Sequence, residues 1–374
     1  MEKCFSCNHR TIPIFIPGIA CPHHCIYCNQ QVISGQQQMP GDEEILHSIR
    51  EHLSTIPSNT HIEIGFFGGT FTGLPLAEQE RLLRLVSPFM ERGEVNSLRC
   101  STHPLYINGE ILRLLKRYGM NTVELGVQSM DDEVLRQVGR GYTSGQVREA
   151  AAQIRAAGLN LGMQMMVGLP GDSPEKSYQT AQNIVDCGAE NTRIYPTLVV
   201  QQTVLADLYR QGKYTPLTLD KAVTWVKKPL RFFQEKGVTV LRVGLHPTQG
   251  FINGQDYLAG PFHVSFKELV QTAIWKEVFE DFLAARSILI PCDKAASLPR
   301  KDFFTREESN LHPETDGREK GNQVVFAVNP QQLNSAIGYH SSNKQWLCRY
   351  FNKVTFLPDV TLSNYEYKVI NLER

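Results

Sequence analysis

One local unit recurs along the chain: a helical stretch, a glycine, then a short apolar segment. RYGMNTVELGV, AAGLNLGMQMMVG, DCGAENTRIYPTL and EKGVTVLRVG all follow it. Gly119, Gly158, Gly188 and Gly237 stand where a helix must stop, because glycine takes the left-handed conformation without strain. Apolar residues at helical spacing precede them, as in Ile111, Leu114, Leu115 and Tyr118, or Val147, Ala150, Ala151 and Ile154. Strands are predicted near 12–16, 61–67, 97–102, 121–127, 160–167, 192–197 and 238–243. Strands alternating with helices imply a parallel sheet or β/α barrel, with the active site at the carboxyl ends of the strands. Near-continuous apolar runs imply strands covered on both faces. Beyond residue 254 the unit fades. A long helix is predicted over 264–286, a polar stretch over 294–322, and short strands in QVVFAV and KVTFLP. The expected division is a barrel core over 1–254 and a small α/β appendage over 255–374.

Five of the nine cysteines fall within the first 28 residues. In a chain of this length, close spacing points to metal or catalysis rather than disulfides. The segment IPGIACPHHCIYCNQQ sets Cys21, Cys25 and Cys28 in a Cys-x3-Cys-x2-Cys pattern just after the first predicted strand. Three thiolates with no fourth cysteine nearby suit three irons of an iron–sulfur cube, leaving one iron open. A zinc knuckle closed by His23 or His24 is the alternative. Cys4 and Cys7 form a separate Cys-x2-Cys with His9 two residues on, either half of another metal site or free thiols of a tail.

Further candidates lie at predicted strand ends. HIEIGFFGGTF closes on Gly68, Gly69 and Thr70, where paired glycines let backbone approach a ligand or simply make a turn. SLRCST ends at Ser101 and Thr102, VELGVQ at Gln128, MQMMV at Val167 and Gly168, and RIYP at Tyr195 and Pro196. Arg140 lies in VGRGYTS and His246 in GLHPTQG. For each of these, a structural role in a turn, loop or core competes with a functional one.

Taken together, these motifs resemble the radical SAM (S-adenosylmethionine) superfamily over roughly residues 11–265, about two-thirds of the chain. Within it, VELGVQSMDDEVL is similar to the radical SAM part of the Elongator catalytic subunit, a tRNA-modifying protein, and to oxygen-independent coproporphyrinogen oxidase-like proteins. The resemblance implies a partial (β/α)6 TIM-like barrel. It implies a [4Fe–4S] cluster on Cys21, Cys25 and Cys28, and reductive cleavage of SAM to a 5′-deoxyadenosyl radical. Tyr27, Gly68, Gly69, Thr70, Ser101, Gln128, Arg140, Val167, Gly168 and Tyr195 are the implied SAM-site residues. Thr70 stands where the family has Glu, and Arg140 is expected to pair with the SAM carboxylate. The short x3 spacing departs from the Elongator subunit's longer loop. No acetyl-CoA loop follows residue 255, so no acetyl-CoA partner is expected.

Acidic and basic side chains balance at 38 each, so no global field draws the chain to nucleic acid. Locally, residues 206–243 hold eight basic side chains against three acidic ones, interleaved with Tyr209, Tyr214, Trp225, Phe232 and Phe233. That pattern and the resemblance make tRNA the expected substrate, with a small molecule as the alternative. Flavodoxin or ferredoxin is the expected electron donor. With neither a membrane-length apolar run nor a signal-peptide core, the expected location is cytoplasmic.

Overall fold

The computed structural model describes residues 8–17, 25–34, 38–286 and 323–373. Cys4, Cys7, Cys21 and the polar stretch 294–322 lie outside these residues. The strands are β1 (Asn8–Ile16), β2 (Thr60–Gly68), β3 (Ser97–Thr102), β4 (Met120–Gln128), β5 (Asn160–Val167), β6 (Asn191–Pro196), β7 (Val199–Val200), β8 (Thr239–Val243), β9 (Tyr257–Ala259), β10 (Gln323–Val328), β11 (Lys353–Pro358) and β12 (Tyr367–Glu373). The helices that matter below are α1 (Gln30–Ser34), α2 (Asp42–Thr55), α3 (Leu76–Glu91), α4 (Gly109–Arg117), α5 (Asp132–Gln137), α6 (Ser144–Ala156), α7 (Pro174–Asp186), α8 (Val204–Arg210), α9 (Leu219–Glu235), α10 (Gln249–Ile252) and α11 (Phe266–Ala285).

The chain divides into two compact units, Met1–Leu217 with Pro229–Val264, and Thr218–Lys228 with Ser265–Arg374. In the first, seven strands form one sheet in the order β1-β2-β3-β4-β5-β6-β8, every neighbouring pair parallel. Parallel neighbours need crossovers, and the sequence supplies start and stop signals for them. Asn108 caps α4 by accepting the Ile111 N–H at 3.0 Å. Thr143 and Gln146 form a reciprocal capping box on α6, and Ser173 caps α7. Gly119, Gly158, Gly188 and Gly237 end their helices at φ between 71° and 76°.

The sheet curls into a half-barrel. Arg99 on β3 donates to Asn191 Oδ1 on β6 at 3.0 Å, across two intervening strands, and the Arg193 guanidinium on β6 lies 5.2 Å from the centre of the Phe67 ring on β2. Such contacts require a concave face. Both faces are covered, and they differ in chemistry. One face alternates Ile12, Ile14 and Ile16 on β1, Ile62, Ile64 and Phe66 on β2, and Val123, Leu125 and Val127 on β4, all buried. The other carries Glu63, Arg99, Ser101, Glu124, Gln164, Asn191 and Arg193, which bond to one another across the barrel. Side chains alternate with a period of two, so these sets face opposite ways. Burying each apolar side chain contributes roughly 1.5–3 kcal/mol, and the polar face is retained only because its groups are paired.

In the second unit β10 is central, parallel to β11 and antiparallel to β12. Phe326, Phe279, Phe282 and Trp275 form its core. Trp275 Nε1 donates to Gln332 Oε1 at 2.8 Å, satisfying the one polar atom of a buried indole.

Candidate active site

The cysteine loop is held at the carboxyl end of the sheet by backbone and packing together. Cys28 N–H donates to Cys25 O at 3.0 Å, making a tight turn. Ile26 N–H donates to Val138 O at 3.2 Å, after α5, and Ile26 O accepts from Leu205 N–H at 2.7 Å, on α8. Cys25 and Tyr27 are buried among Val134, Val138, Leu169 and Leu205, with Met166 and Cys28 packed on the same group. Among the described residues neither Cys25 nor Cys28 is in a disulfide.

Arg140 joins this loop to the sheet. Its side chain is buried, and it donates from Nη1 to Cys25 Sγ at 3.1 Å and to the Tyr27 hydroxyl at 3.4 Å. From Nε it donates to the Tyr142 hydroxyl at 2.8 Å, and from Nη2 to Gly126 O at 2.5 Å. Tyr142 in turn donates to the Gly126 and Val127 carbonyls, both at 2.7 Å, and packs edge-on against His103 at 4.8 Å. Burial pushes the Tyr27 phenol well above its usual range and Tyr142 up to about 12, although Arg140 opposes both. Both phenols meet the guanidinium at their hydroxyl oxygens, and the Cys25 sulfur accepts from it beside them. The Arg140 guanidinium thereby braces the cysteine loop against β4.

The other candidates divide. Gly68 adopts φ 98°, and a Cβ there would lie 2.4 Å from Ile16 O. At Gly69 it would lie 2.6 Å from Pro17 O. The close approach these glycines permit is to the end of β1, where the cysteine loop begins. Thr70 is buried and leads a short 3-10 turn. Ser101 lies on the concave face between Glu124 and Gln164, at 3.4 and 3.3 Å. Gln128 ends β4 at φ 67°, with its amide nitrogen beside Gly126. Gly168 sits at φ 78°; its N–H donates to Asp172 Oδ2 at 2.9 Å and its carbonyl accepts from the Tyr214 hydroxyl at 2.7 Å. Tyr195 alternates with Ile194 and shares the concave face with Arg193. Val167 does not: it is fully buried, in phase with Met163 and Met165 on the helix-covered face, and Pro196 is in phase with Ile194. Their side chains belong to the core. His246 is exposed on the loop after β8, and burial and Arg242 lower its pKa.

Motif spacing does not reveal Tyr142, Asp172 or the ion network Glu63–Arg99–Glu124–Arg193. The network's signal is a single charged residue in each of four strands that otherwise read as largely apolar. Glu124 is fully buried, accepting from Arg193 Nε at 2.6 Å and lying 3.6 Å from Arg99 Nη1; Arg99 Nε donates to Glu63 at 2.9 Å.

A model of the radical SAM superfamily matches residues 15–184, and one of the radical SAM C-terminal domain matches residues 189–276. A tRNA uridine(34) acetyltransferase of Dehalococcoides mccartyi is 28% identical over 241 residues, 55% of this chain and 52% of that one. The heme chaperone HemW of Bacillus subtilis is 27% identical over 200 residues, 52% of each chain. The chain thus spans about half the length of these curated relatives. Among solved structures, archaeal Methanocaldococcus infernus Elp3 superposes with a TM-score of 0.54 at 18% identity, covering 76% of this chain and 64% of that one, a likeness of fold.

Proposed function

The chain belongs to the radical SAM superfamily, and from that premise we propose that it modifies RNA, tRNA in particular. The family's cofactors are a [4Fe–4S] cluster and SAM; when bound, the cluster supplies one electron that cleaves SAM to a 5′-deoxyadenosyl radical able to remove hydrogen from a substrate. The donor set suits such a cluster: thiols, the usual ligands of iron–sulfur centres, on a tight turn in an apolar shell. Cys25 and Cys28, with Cys21, would hold the irons. The burial of Cys25 beneath Arg140 at the carboxyl ends of the strands is the observation that carries this reading.

The protein's own residues would then divide the work. Arg140 and Tyr142 fix the loop against β4. Val134, Val138, Leu169 and Leu205 exclude water from it. Gln128, Ser101, Gly168 and Tyr195 would line the SAM site, with Asp172 and Tyr214 fixing the backbone of Gly168. The ion network forms a rigid floor on the concave face.

For the substrate, likeness to a tRNA uridine(34) acetyltransferase is the support. Of the five interleaved aromatics, Tyr209 is exposed and the other four are engaged in packing or bonding. Phe233 is fully buried, Phe232 packs on Tyr178 at 5.4 Å, the Trp225 Nε1 atom is buried, and Tyr214 is bonded to Gly168. Of the basic residues, Lys227 pairs with Glu277 and Arg210 with Asp207. Lys221 and Lys228 are exposed, seven positions apart on α9 and so on one face. Binding of tRNA is tested across salt concentrations: the wild-type chain should bind at low salt, and Lys221→Glu with Lys228→Glu should weaken binding and flatten the salt slope by roughly one to two. Absence of binding at low salt would favour the second reading, a small tetrapyrrole-like substrate, which likeness to HemW supports.

A further inference from the structure

We propose that Arg140 and Gln30 set the reduction potential of the cluster by hydrogen-bonding to the sulfurs of Cys25 and Cys28, an inference that rests on the proposed function. The two donors reach different cysteines. Arg140 Nη1 lies 3.1 Å from Cys25 Sγ, and Gln30 Nε2, at the start of α1, lies 3.4 Å from Cys28 Sγ. They also differ in kind. The guanidinium is permanently charged and buried, whereas the Gln30 amide is neutral and partly exposed.

The guanidinium cannot easily withdraw from the sulfur. Its Nε is tied to Tyr142 and its Nη2 to the Gly126 carbonyl. Tyr142 is itself fixed by two backbone carbonyls and by the edge of His103, and His103 Nε2 donates to the Arg140 carbonyl at 3.2 Å. The donor is thus held before any cluster is built. Nothing in this arrangement is needed to ligate iron, since arginine and glutamine side chains are not ligands in such clusters.

The direction of the effect follows from charge. Reduction adds an electron to a group already bearing negative thiolates, and that charge spreads onto the sulfurs. Donors to sulfur, above all a charged one in a water-poor site, stabilise the reduced form more than the oxidised form. Hydrogen bonds to the sulfurs are among the levers that set such potentials. Arg140 and Gln30 therefore raise the midpoint and let a milder reductant load the cluster, with Arg140 the stronger of the two. Both act through the cysteines and are positioning residues.

The test uses the full chain, reconstituted anaerobically as wild type, Gln30→Met, Arg140→Lys and Arg140→Met. Iron and sulfide content are measured first, then the midpoint of the cluster by EPR-monitored titration without SAM. The midpoint should fall in Gln30→Met, fall furthest in Arg140→Met, and lie between wild type and Arg140→Met in Arg140→Lys. Loaded clusters with the wild-type midpoint in Gln30→Met and in Arg140→Lys overturn the inference, and these two variants decide it should Arg140→Met fail to assemble. A wild-type chain that takes up no iron removes the functional reading itself; a loaded chain whose midpoint ignores both donors removes this inference alone.

Discussion

Gly69 N–H donates to Ile16 O at 2.7 Å, tying the carboxyl end of β2 to the last residue of β1. The bond lies where the chain leaves the sheet for the cysteine loop, so the paired glycines shape that exit. A methyl group at either position meets a β1-end carbonyl at 2.4–2.6 Å, and at Gly68 it must also adopt φ 98°. Gly68→Ala should therefore cost about 1–3 kcal/mol and lower iron uptake on reconstitution. Urea unfolding and iron analysis of the same preparations check this, and wild-type values in both would show that the exit tolerates a side chain.

Gln128 is held at φ 67° at the end of β4, a region costly for a side chain. Replacing it by glycine relieves that strain but adds backbone entropy to the unfolded chain. Gln128→Gly should be about 0.5–1 kcal/mol more stable and bind SAM more weakly, the combination expected where strain serves a site. Calorimetry with SAM and urea unfolding measure the two effects. Unchanged SAM affinity would remove Gln128 from the SAM site.

Glu124 accepts from Arg193 and lies against Arg99 in the interior of the half-barrel. Neutralising it leaves buried guanidinium charge without its partner. Glu124→Gln should destabilise by about 3–5 kcal/mol, far more than a surface pair would. A loss below about 1 kcal/mol in urea unfolding would mean that water or Glu63 replaces the lost carboxylate.

The pKa values of His9 and His246 are both lowered: burial is the main cause at each, opposed by Glu63 at His9 and reinforced by Arg242 at His246. Below the ordinary histidine value of about 6.5 the unfolded chain then binds more protons than the folded one. The stability these groups contribute is present above that value and is lost as pH falls through and below it. Unfolding free energy should decline from pH 7 toward pH 5, and His9→Gln with His246→Gln should flatten the decline. An equal slope in the double variant would assign it to other groups.

Much of the barrel was legible because helix stops and strand starts are local signals. Residues 97–102 and 160–167 are strands with the predicted bounds, and the long helix runs Phe266–Ala285 against a predicted 264–286. What could not be read was curvature. Whether Arg99 meets Asn191, or Arg140 meets Cys25 across 115 positions, depends on how far the sheet closes. Strand phase is equally set by the closure: Val167 alternates with Met166 onto the core face, and Arg193 faces the interior. The aromatics of α9 show the same limit. Their spacing fits a stacking surface and a buried face equally, and packing decides for the latter at Phe233.

The most direct measurement is product release by the anaerobically reconstituted full chain given SAM and dithionite. About four irons per chain and release of 5′-deoxyadenosine with methionine are expected. A Cys21→Ala, Cys25→Ala, Cys28→Ala variant should be colourless and release neither. Stoichiometric zinc without iron, or a brown iron-loaded chain that leaves SAM intact, would contradict the account.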